Sequence, residues 1–149
     1  MEVFRITKTK WAHELSASGY AARWNSNGKF IIYAAENRSL ACLENLVHRN
    51  GFGFDDDYCV ISILIPEKIA KFQINSVDLP SNWNQTNEES IAKCQLIGDN
   101  WLRNQKSAVL FVPSSLIANE CNILINPNHQ DFKFIKIKKT ESFKFDSRL

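Results

Sequence analysis

Arg23, Tyr33 and Glu44 are the three side chains whose types and spacing best support a chemical role. Arg23 and Tyr33 flank a turn, so both could face one cleft. An arginine guanidinium can bind a pyrophosphate through two parallel hydrogen bonds, and a tyrosine ring can stack on a flat heterocycle. A glutamate can stabilise a developing oxocarbenium ion or bind the sugar hydroxyl beside it. The alternative, which such sets adopt more often, is a salt bridge between Arg23 and Glu44.

The glycines, cysteines and histidines predict no second site. Gly51 and Gly53 could form a phosphate loop, but the carboxylates of Asp55, Asp56 and Asp57 follow directly and would repel phosphate. The four cysteines contain no CxxC pair and the three histidines are isolated, so we expect no metal. Cysteines of this kind are typical of reduced thiols in a cytosolic protein.

Residues 132–139 carry four lysines and two phenylalanines. Such a strand could hold single-stranded nucleic acid, but a charged edge strand that discourages aggregation explains it as well, and we favour the second. The apolar alternation changes phase between Phe134 and Ile135. This change predicts a bulge, or a strand whose exposed face changes along its length.

Short strands and about two helices are expected to position these side chains. Spacing of apolar residues at 3.6 predicts helices over residues 38–49, capped by Asn37 or Ser39, and 89–105, weakened by Gly98. A weaker helix is predicted over residues 10–16 and a hairpin-like turn at 26–28. Stretches typical of strands lie at residues 3–6, 30–35, 58–65, 107–112 and 121–125. These elements do not alternate regularly, which predicts an α+β fold.

Length and charge narrow the classes of protein further. A chain of 149 residues is typical of one domain, residues 1–149. The net charge of +2 disfavours a protein that coats nucleic acid. The apolar runs are too short to span a bilayer, and the first residues lack the apolar region of a signal peptide. Residues 140–149 are expected to fray or to add an edge strand.

The stretch from Tyr20 to His48 resembles the pattern of the RES-domain family, the toxins of RES–Xre toxin–antitoxin pairs. The matching features are Arg23-Trp24-Asn25, then Tyr33 at the end of a β-segment, then a helix with Ala41, Glu44 and Leu46-Val47-His48. The resemblance continues in order over residues 3–135. Its other pieces are Phe4-Arg5-Ile6, Leu79-Pro80 with Trp83, Ile97-Gly98-Asp99 with Trp101-Leu102, Val112-Pro113-Ser114, and Asn122 to His129.

The resemblance implies a single compact α+β domain of short, mostly antiparallel strands with a few helices, related to the ADP-ribosyltransferases. It implies a toxin that depletes NAD⁺ and arrests growth. NAD⁺ would be a substrate, cleaved at the nicotinamide–ribose bond, with ADP-ribosyl passed to water or phosphate and no cofactor needed. The implied partner is an Xre-type helix-turn-helix antitoxin, with a homodimer inside that complex as a further expectation. The implied location is the cytoplasm, and neither membrane nor nucleic acid is an expected partner.

On this resemblance each site residue has an expected role. Arg23 would bind the pyrophosphate or ribose phosphate, with Arg5 as a second contact. Tyr33 would stack on nicotinamide, and Glu44 would bind the ribose 2′-hydroxyl and stabilise the oxocarbenium-like transition state. Ser114 would orient Glu44 or the nicotinamide amide. The expected catalytic residues are therefore Glu44, Arg23, Tyr33 and Ser114, and the expected NAD⁺-binding residues are Arg5, Arg23, Tyr33, Asn25 and Asn126.

Two features depart from the family pattern or leave a choice open. Ala21-Ala22 replaces a Gly-Gly pair that family members often carry, and glycine there would permit a close approach of the dinucleotide or a positive φ. Ser115 adjoins Ser114, and we choose Ser114 because it follows Pro113 directly. Two alternative functions stay open: a mono-ADP-ribosyltransferase with a protein acceptor, and a non-catalytic binding module of the same fold.

Overall fold

A seven-stranded sheet forms the centre of the computed structural model, which describes residues 1–49 and 57–149. Two α-helices and three short 3₁₀ helices accompany it in this part of the chain. The 3₁₀ helices are Thr9–Trp11, Ser76–Asp78 and Gln130–Phe134. The main elements are β1 (Glu2–Lys8), β2 (Ile32–Ala35), α1 (Arg38–Arg49), β3 (Tyr58–Leu64), β4 (Lys71–Gln73), α2 (Glu88–Asn104), β5 (Val109–Pro113), β6 (Cys121–Ile125) and β7 (Lys136–Phe143).

The strands lie in the order β4-β5-β6-β2-β1-β3-β7. β4 and β5 are parallel, and the other neighbouring pairs are antiparallel. Antiparallel strands need no helical crossover between them, so this sheet forms with few helices. The prediction of an α+β fold with mostly antiparallel strands is therefore confirmed.

The pleat of β2 points its side chains into apolar clusters on both faces of the sheet. Ile32 and Ala34 point to one face, where they join a core with residues of β1, β3, β5 and β6. Tyr33 and Ala35 point to the opposite face, because successive side chains of a strand alternate. Both α-helices pack on that second face: α1 against Ala35 and α2 in the cluster that contains Tyr33. We call it the helix face and the first one the far face.

Both α-helices begin as their sequences predict. The side chain of Asn37 accepts a hydrogen bond from the backbone N–H of Leu40 at 2.8 Å, and that of Asn87 accepts one from Ser90 at 2.9 Å. These are N-caps, which satisfy backbone donors that the first turn leaves unpaired. The bounds Arg38–Arg49 confirm the first predicted helix, with Asn37 as its cap. The second helix runs from Glu88 to Asn104, within one residue of the prediction.

Three local predictions differ from the structure. The helix expected over residues 10–16 is wrong: the chain forms the 3₁₀ turn Thr9–Trp11 and then irregular backbone. The turn at 26–28 does not join a hairpin, because β2 pairs with β1 and β6 and the preceding segment makes the single bridge Ala22–Asn25. Residues 67–88, with Pro80 and several asparagines, look irregular in the sequence, but they contribute β4.

The change of phase near Phe134 has a simple structural cause. Phe132 and Phe134 belong to the 3₁₀ helix Gln130–Phe134, and β7 begins only at Lys136. A bulge is also present, because the pairing of β3 with β7 moves from Ser62–Lys139 to Ile63–Ile137 and omits Lys138. β7 extends to Phe143, so the start of the last ten residues adds an edge strand. The Gly51, Gly53, Asp55 and Asp56 pattern lies outside the described residues.

Candidate active site

The carboxylate of Glu44 lies at the centre of a hydrogen-bonded cluster on the helix face. The side-chain amide of Asn122 donates to Glu44 Oε1 at 2.6 Å, and Ser114 Oγ lies 3.4 Å from the same oxygen. His48 Nε2 is 3.7 Å from the other oxygen, Oε2. The side chain of Glu44 is 21% exposed. One carboxylate oxygen is thus held by the protein, and the described residues donate no hydrogen bond to the other.

The sheet brings these residues together from distant parts of the sequence. Asn122 on β6 pairs with Ala35 on β2 and with Val112 on β5, so it points to the helix face, as Ala35 does. Glu44 lies close to Asn122 because α1 follows β2 almost directly and packs on the helix face. Ser114 follows β5, two residues after Val112. Pairing and alternation therefore place all three polar groups at one end of β5 and β6.

Ser114 is buried, and the chain around it fixes its orientation. Its backbone N–H donates to the carbonyl of Glu120 at 2.8 Å. Its Oγ accepts hydrogen bonds from the N–H groups of Leu116 and Ile117 at 3.1 and 3.2 Å. The hydroxyl proton is then free to point at Glu44. The adjacent Ser115 is half-buried and, among the described hydrogen bonds, makes none to Glu44.

Tyr33 lies on the same face as the Glu44 cluster, one strand away from Asn122. It pairs with Leu124 on β6, so Asn122 occupies the diagonal position, where Cβ atoms are about 7–8 Å apart. Its hydroxyl donates to Asn25 Oδ1 at 2.6 Å and accepts from the backbone N–H of Trp24 at 3.2 Å. Burial raises the pKa of the Tyr33 phenol, so the hydroxyl keeps its proton. With the hydroxyl occupied, the ring is what Tyr33 can offer a ligand.

Asn25 is fully buried and holds the segment around Arg23 in place. Its amide nitrogen lies within 3.1 Å of the carbonyl oxygens of Tyr20, Ser26 and Lys29, and its oxygen accepts from Tyr33. Every polar atom of the Asn25 side chain therefore has a partner inside the protein. The structure brings Asn25 next to Tyr33 as a support for this segment.

The guanidinium of Arg23 reaches the loop before α2. It donates to the carbonyl oxygens of Trp83 and Gln85 at 2.8 and 3.0 Å. These partners are neutral, and among the described residues Arg23 forms no ion pair. The salt bridge to Glu44 that the sequence left open is therefore not formed. The positive charge of Arg23 stays available to a negatively charged ligand.

Helix α2 holds the Arg23 segment through three successive contacts on one of its faces. Gln95 donates to the carbonyl of Ala22 at 2.9 Å, and the carboxylate of Asp99 accepts from the backbone N–H and hydroxyl of Ser26. Between them, Gly98 touches the backbone of Trp24: a Cβ at position 98 would lie 1.8 Å from the Trp24 carbonyl oxygen. Gly98 thus permits contact between helix and loop backbones.

The two alanines before Arg23 fit their backbone positions without glycine. Among the described residues, positive φ occurs at Gly19 and Gly28 nearby, and at neither Ala21 nor Ala22. Ala21 is exposed and Ala22 is half-buried. The replacement of the family's Gly-Gly pair therefore imposes no strained backbone on this loop.

Arg5 and Asn126 lie apart from the Glu44 cluster. Arg5 pairs with Ile61 on the far face, where its guanidinium donates to the carbonyl of Ser16 at 2.7 Å, and burial lowers its pKa. Asn126 follows the other end of β6, about 13 Å along the strand from Asn122. The oxygen of its buried side chain accepts from the N–H of Asn128. The structure gives both residues partners remote from Glu44.

The sequence alone does not identify Asn122 as a site residue, and it gives His48 no chemical role. Asn122 was visible as part of the stretch from Asn122 to His129 that resembles the family pattern. Its contact with Glu44 depends on strand register, which a single sequence does not reveal. His48 lies one helical turn after Glu44, and the i, i+4 spacing is the signal that could have found it.

The other ionisable and nucleophilic side chains of residues 1–49 and 57–149 form no comparable cluster. Within residues 1–49 and 57–149, no three His, Cys, Asp or Glu side chains are close enough together to hold a metal ion. The four cysteines are free thiols, and burial raises the pKa of each. On β7, Lys138 pairs with Glu2 at 2.7 Å and Lys139 with Glu141 at 3.0 Å. These ion pairs support the interpretation of residues 132–139 as a charged edge.

Nearly the whole chain resembles known proteins. The family described as RES domain matches residues 2–146. A protein of Sphingobium sp. (strain YBL2) called Prs ADP-ribosylating toxin is 35% identical over 148 residues, which cover 95% of this chain and 90% of the relative. Toxin Res of Photorhabdus laumondii subsp. laumondii is 36% identical over 156 residues, which cover all of this chain and 97% of the relative.

A solved structure shares the fold. A chain of the M. tuberculosis MbcT-MbcA toxin-antitoxin complex superposes with a TM-score of 0.74 at 14% sequence identity. The match covers 96% of this chain and 84% of the other. No helix in the part of the chain described here is long and apolar enough to cross a membrane. Family match, curated relatives and fold agree along nearly the full length, and the chain therefore belongs to the RES-domain family of toxins.

Proposed function

We propose that this protein cleaves the nicotinamide–ribose bond of NAD⁺ and passes the ADP-ribosyl group to water or phosphate, thereby arresting growth. The observation that carries the proposal is the carboxylate of Glu44, fixed through Oε1 while Oε2 receives no hydrogen bond from the described residues. A carboxylate oriented in this way stabilises positive charge that develops on a sugar carbon. Family membership and a relative called an ADP-ribosylating toxin support the same class of reaction.

In the proposed reaction the bond between ribose C1′ and the nicotinamide nitrogen breaks. The bonding electron pair leaves with nicotinamide, which departs as a neutral molecule, so no strong general acid is needed. Glu44 Oε2 accepts a hydrogen bond from the ribose 2′-hydroxyl and stabilises the oxocarbenium-like transition state. An oxygen of water or phosphate then forms the new bond to C1′. The attacking water releases its proton to the solvent.

Arg23 and Tyr33 are proposed to hold the substrate. The unpaired charge of Arg23 suits the pyrophosphate, for which arginine is the best-matched side chain. The ring of Tyr33 suits the flat nicotinamide, because its hydroxyl is already bonded to Asn25 and Trp24. In this assignment Ser114 orients Glu44. NAD⁺ is consumed as a substrate, and the proposed reaction needs neither a metal nor another cofactor.

The first test is NAD⁺ loss catalysed by purified wild-type protein and by Glu44→Gln, each with and without phosphate. We expect the substitution to lower kcat about 10²–10⁴-fold while KM changes little, because Glu44 acts mainly on the transition state. Dependence on phosphate would identify the nucleophile. Equal turnover by the two proteins would refute the role of Glu44.

Transfer of ADP-ribose to a protein is the second candidate function. The observation in its favour is the printed name of the Sphingobium relative, Prs ADP-ribosylating toxin. NAD⁺ labelled in its adenylate half separates the two reactions, since hydrolysis or phosphorolysis leaves the label on a small molecule and transfer leaves it on a protein. Binding of NAD⁺ without loss of nicotinamide in either assay would favour a non-catalytic module.

An antitoxin is the partner that we propose for this toxin, in the cytoplasm. The resemblance to the RES-domain family suggests an Xre-type helix-turn-helix protein. The M. tuberculosis structure that shares this fold is described as a toxin-antitoxin complex. Co-expression with an Xre-type protein encoded beside this chain should relieve growth arrest and yield a complex that co-purifies. Its mass measured by light scattering would show whether two copies of the toxin are present.

A further inference from the structure

We propose that Asn122 is the positioning residue for Glu44: its side-chain amide fixes Oε1 and thereby directs Oε2 towards the substrate. The inference rests on the proposed function of Glu44 and adds the group that orients this carboxylate for the reaction. Asn122 itself is not expected to touch the substrate.

The geometry favours Asn122 over Ser114 as the main hold on Glu44. The Asn122 amide lies 2.6 Å from Oε1, whereas Ser114 Oγ lies at 3.4 Å, near the limit of a hydrogen bond. Ser114 Oγ also accepts from two backbone N–H groups, which tie it to its own loop. A carboxylate held mainly by one short hydrogen bond should move when that bond is lost.

The position of Asn122 in the sheet makes it a rigid support. β6 is paired on both sides, by β5 and β2, so the backbone that carries Asn122 is fixed on both edges. The preceding loop is tied as well, because Glu120 accepts a hydrogen bond from Asn37, the cap of α1. Strand and helix are therefore connected at both Asn37 and Glu44. Groups carried on such elements are held more precisely than groups on loops.

The chemistry of an amide also suits this task. Asn122 donates a hydrogen bond without carrying charge, so Glu44 keeps its full negative charge for the transition state. A lysine or arginine at the same position would neutralise part of that charge. Two ionisable side chains lie around this pair in the described residues: His48 on α1, whose Nε2 is 3.7 Å from Oε2, and Glu120, which precedes β6 and bonds to Asn37.

The first experiment compares Asn122→Ala with Asn45→Ala. Each substitution is made once alone and once together with Glu44→Ala. Asn45 is a matched control, because it is a half-buried asparagine beside Glu44 whose amide bonds to the carbonyl of Ile6. We expect Asn122→Ala to lower kcat about 10–100-fold with KM nearly unchanged, the cost of a misplaced group. Asn45→Ala should leave kcat unchanged. In the Glu44→Ala background, Asn122→Ala should cost nothing further, because it acts through Glu44.

The second experiment uses Asn122→Asp, which keeps the shape but replaces the amide by a carboxyl group. Two carboxylates at 2.6 Å cannot both be ionised easily, so the pair should share one proton over a range of pH. With that proton on residue 122, the group still donates to Glu44. Activity of this variant should therefore rise towards lower pH, relative to wild type, as the pair takes up its shared proton. A purely structural role of Asn122 predicts parallel pH profiles.

The outcomes separate this inference from the proposed function. Growth arrest by the induced protein is scored beside NAD⁺ loss, so the Asn122 and Asn45 variants can be ranked even if NAD⁺ is not the substrate. In ¹⁵N-labelled protein, Glu44→Ala should also move the side-chain amide signals of Asn122 more than those of Asn45. The inference is overturned if Asn122→Ala retains wild-type activity, or if its loss adds fully to that of Glu44→Ala. If Asn122→Ala does not fold, two other measurements test the inference. They are the pH profile of Asn122→Asp and the change that Glu44→Ala causes in the side-chain amide signals of Asn122.

Discussion

The hydroxyl of Tyr33 links the site to the stability of the protein at high pH. Burial raises the pKa of this phenol above its ordinary value of about 10. A pKa raised by folding means that the folded state resists ionisation, so the contribution of Tyr33 is fully present below about pH 10. It is lost as the pH rises further, because the unfolded chain ionises first. We expect the free energy of unfolding to fall above about pH 10, with Tyr33 as one cause.

Tyr33→Phe tests this expectation by urea unfolding at neutral and alkaline pH. At neutral pH the variant should lose about 1–3 kcal/mol, since the buried oxygen of Asn25 is left without its donor. Above about pH 10 its stability should fall less steeply than that of wild type. Tyr20→Phe is the control, because Tyr20 is 78% exposed. An identical alkaline slope in Tyr33→Phe and wild type would contradict the assignment.

The positions of some site residues can be predicted from the sequence, and those of others cannot. The 3.6-residue spacing puts Glu44 at the edge of the apolar stripe of α1, and the structure leaves it half-buried there. That placement is local, so helical periodicity is enough to predict it. The partner of Glu44 is not local, since Asn122 follows it by 78 positions. The remote positions of Arg5 and Asn126 likewise follow from strand pairing, which no spacing along the chain encodes.

At the scale of elements, the packing of α2 on the Arg23 segment depends on Gly98. An added Cβ would meet the carbonyl oxygen of Trp24 at 1.8 Å, and a backbone atom cannot turn aside as a side chain can. We expect Gly98→Ala to destabilise the protein by about 3 kcal/mol, the upper range for overpacking, despite the better helix propensity of alanine. Thermal unfolding measures the effect. Leu96→Ala, at a 61% exposed position on the same helix, should change stability by a few tenths of a kcal/mol.

Elements with a strong local pattern were predictable, and those that depend on distant partners were not. Helix α1 has both a cap and an apolar stripe, and its bounds match the prediction. β4 has three residues, Lys71–Gln73, and forms by pairing with β5, so its own sequence carries almost no signal. The segment after Asn25 looks like a hairpin because of its turn residues. Its pairing is decided by β1 and β6, which lie elsewhere in the chain.

At the scale of the whole molecule, the last residues close one end of the sheet. Phe145 is buried and makes edge-to-face contacts with Tyr58 at 5.2 Å and Phe143 at 4.9 Å between ring centres. The guanidinium of Arg49 lies 3.8 Å from the centre of its ring. The segment after β7 therefore joins α1 and β3 into one cluster. It is part of the core.

Phe145→Ala should accordingly cost about 3 kcal/mol, the usual loss for a buried phenylalanine, and lower the urea midpoint. Phe134→Ala is the matched control at a 38% exposed position and should cost much less. A midpoint of Phe145→Ala equal to that of the wild-type protein would show that the C-terminal segment contributes little to the folded state. In that case deletion of residues 144–149 should also be tolerated.

The distance along the chain between Glu44 and Asn122 has a consequence for the timing of synthesis. Ribosomes add about 5–20 residues each second, so the 78 positions between the two residues take roughly 4–16 s to translate. During that interval the nascent chain completes α1 and later β5, but it does not yet contain β6. Glu44 then lacks the hydrogen bond from the Asn122 side chain, and the sheet that would bring it towards Tyr33 is incomplete. The constellation exists only once β6 has left the ribosome, so a nascent chain that lacks β6 has no assembled site for the proposed chemistry.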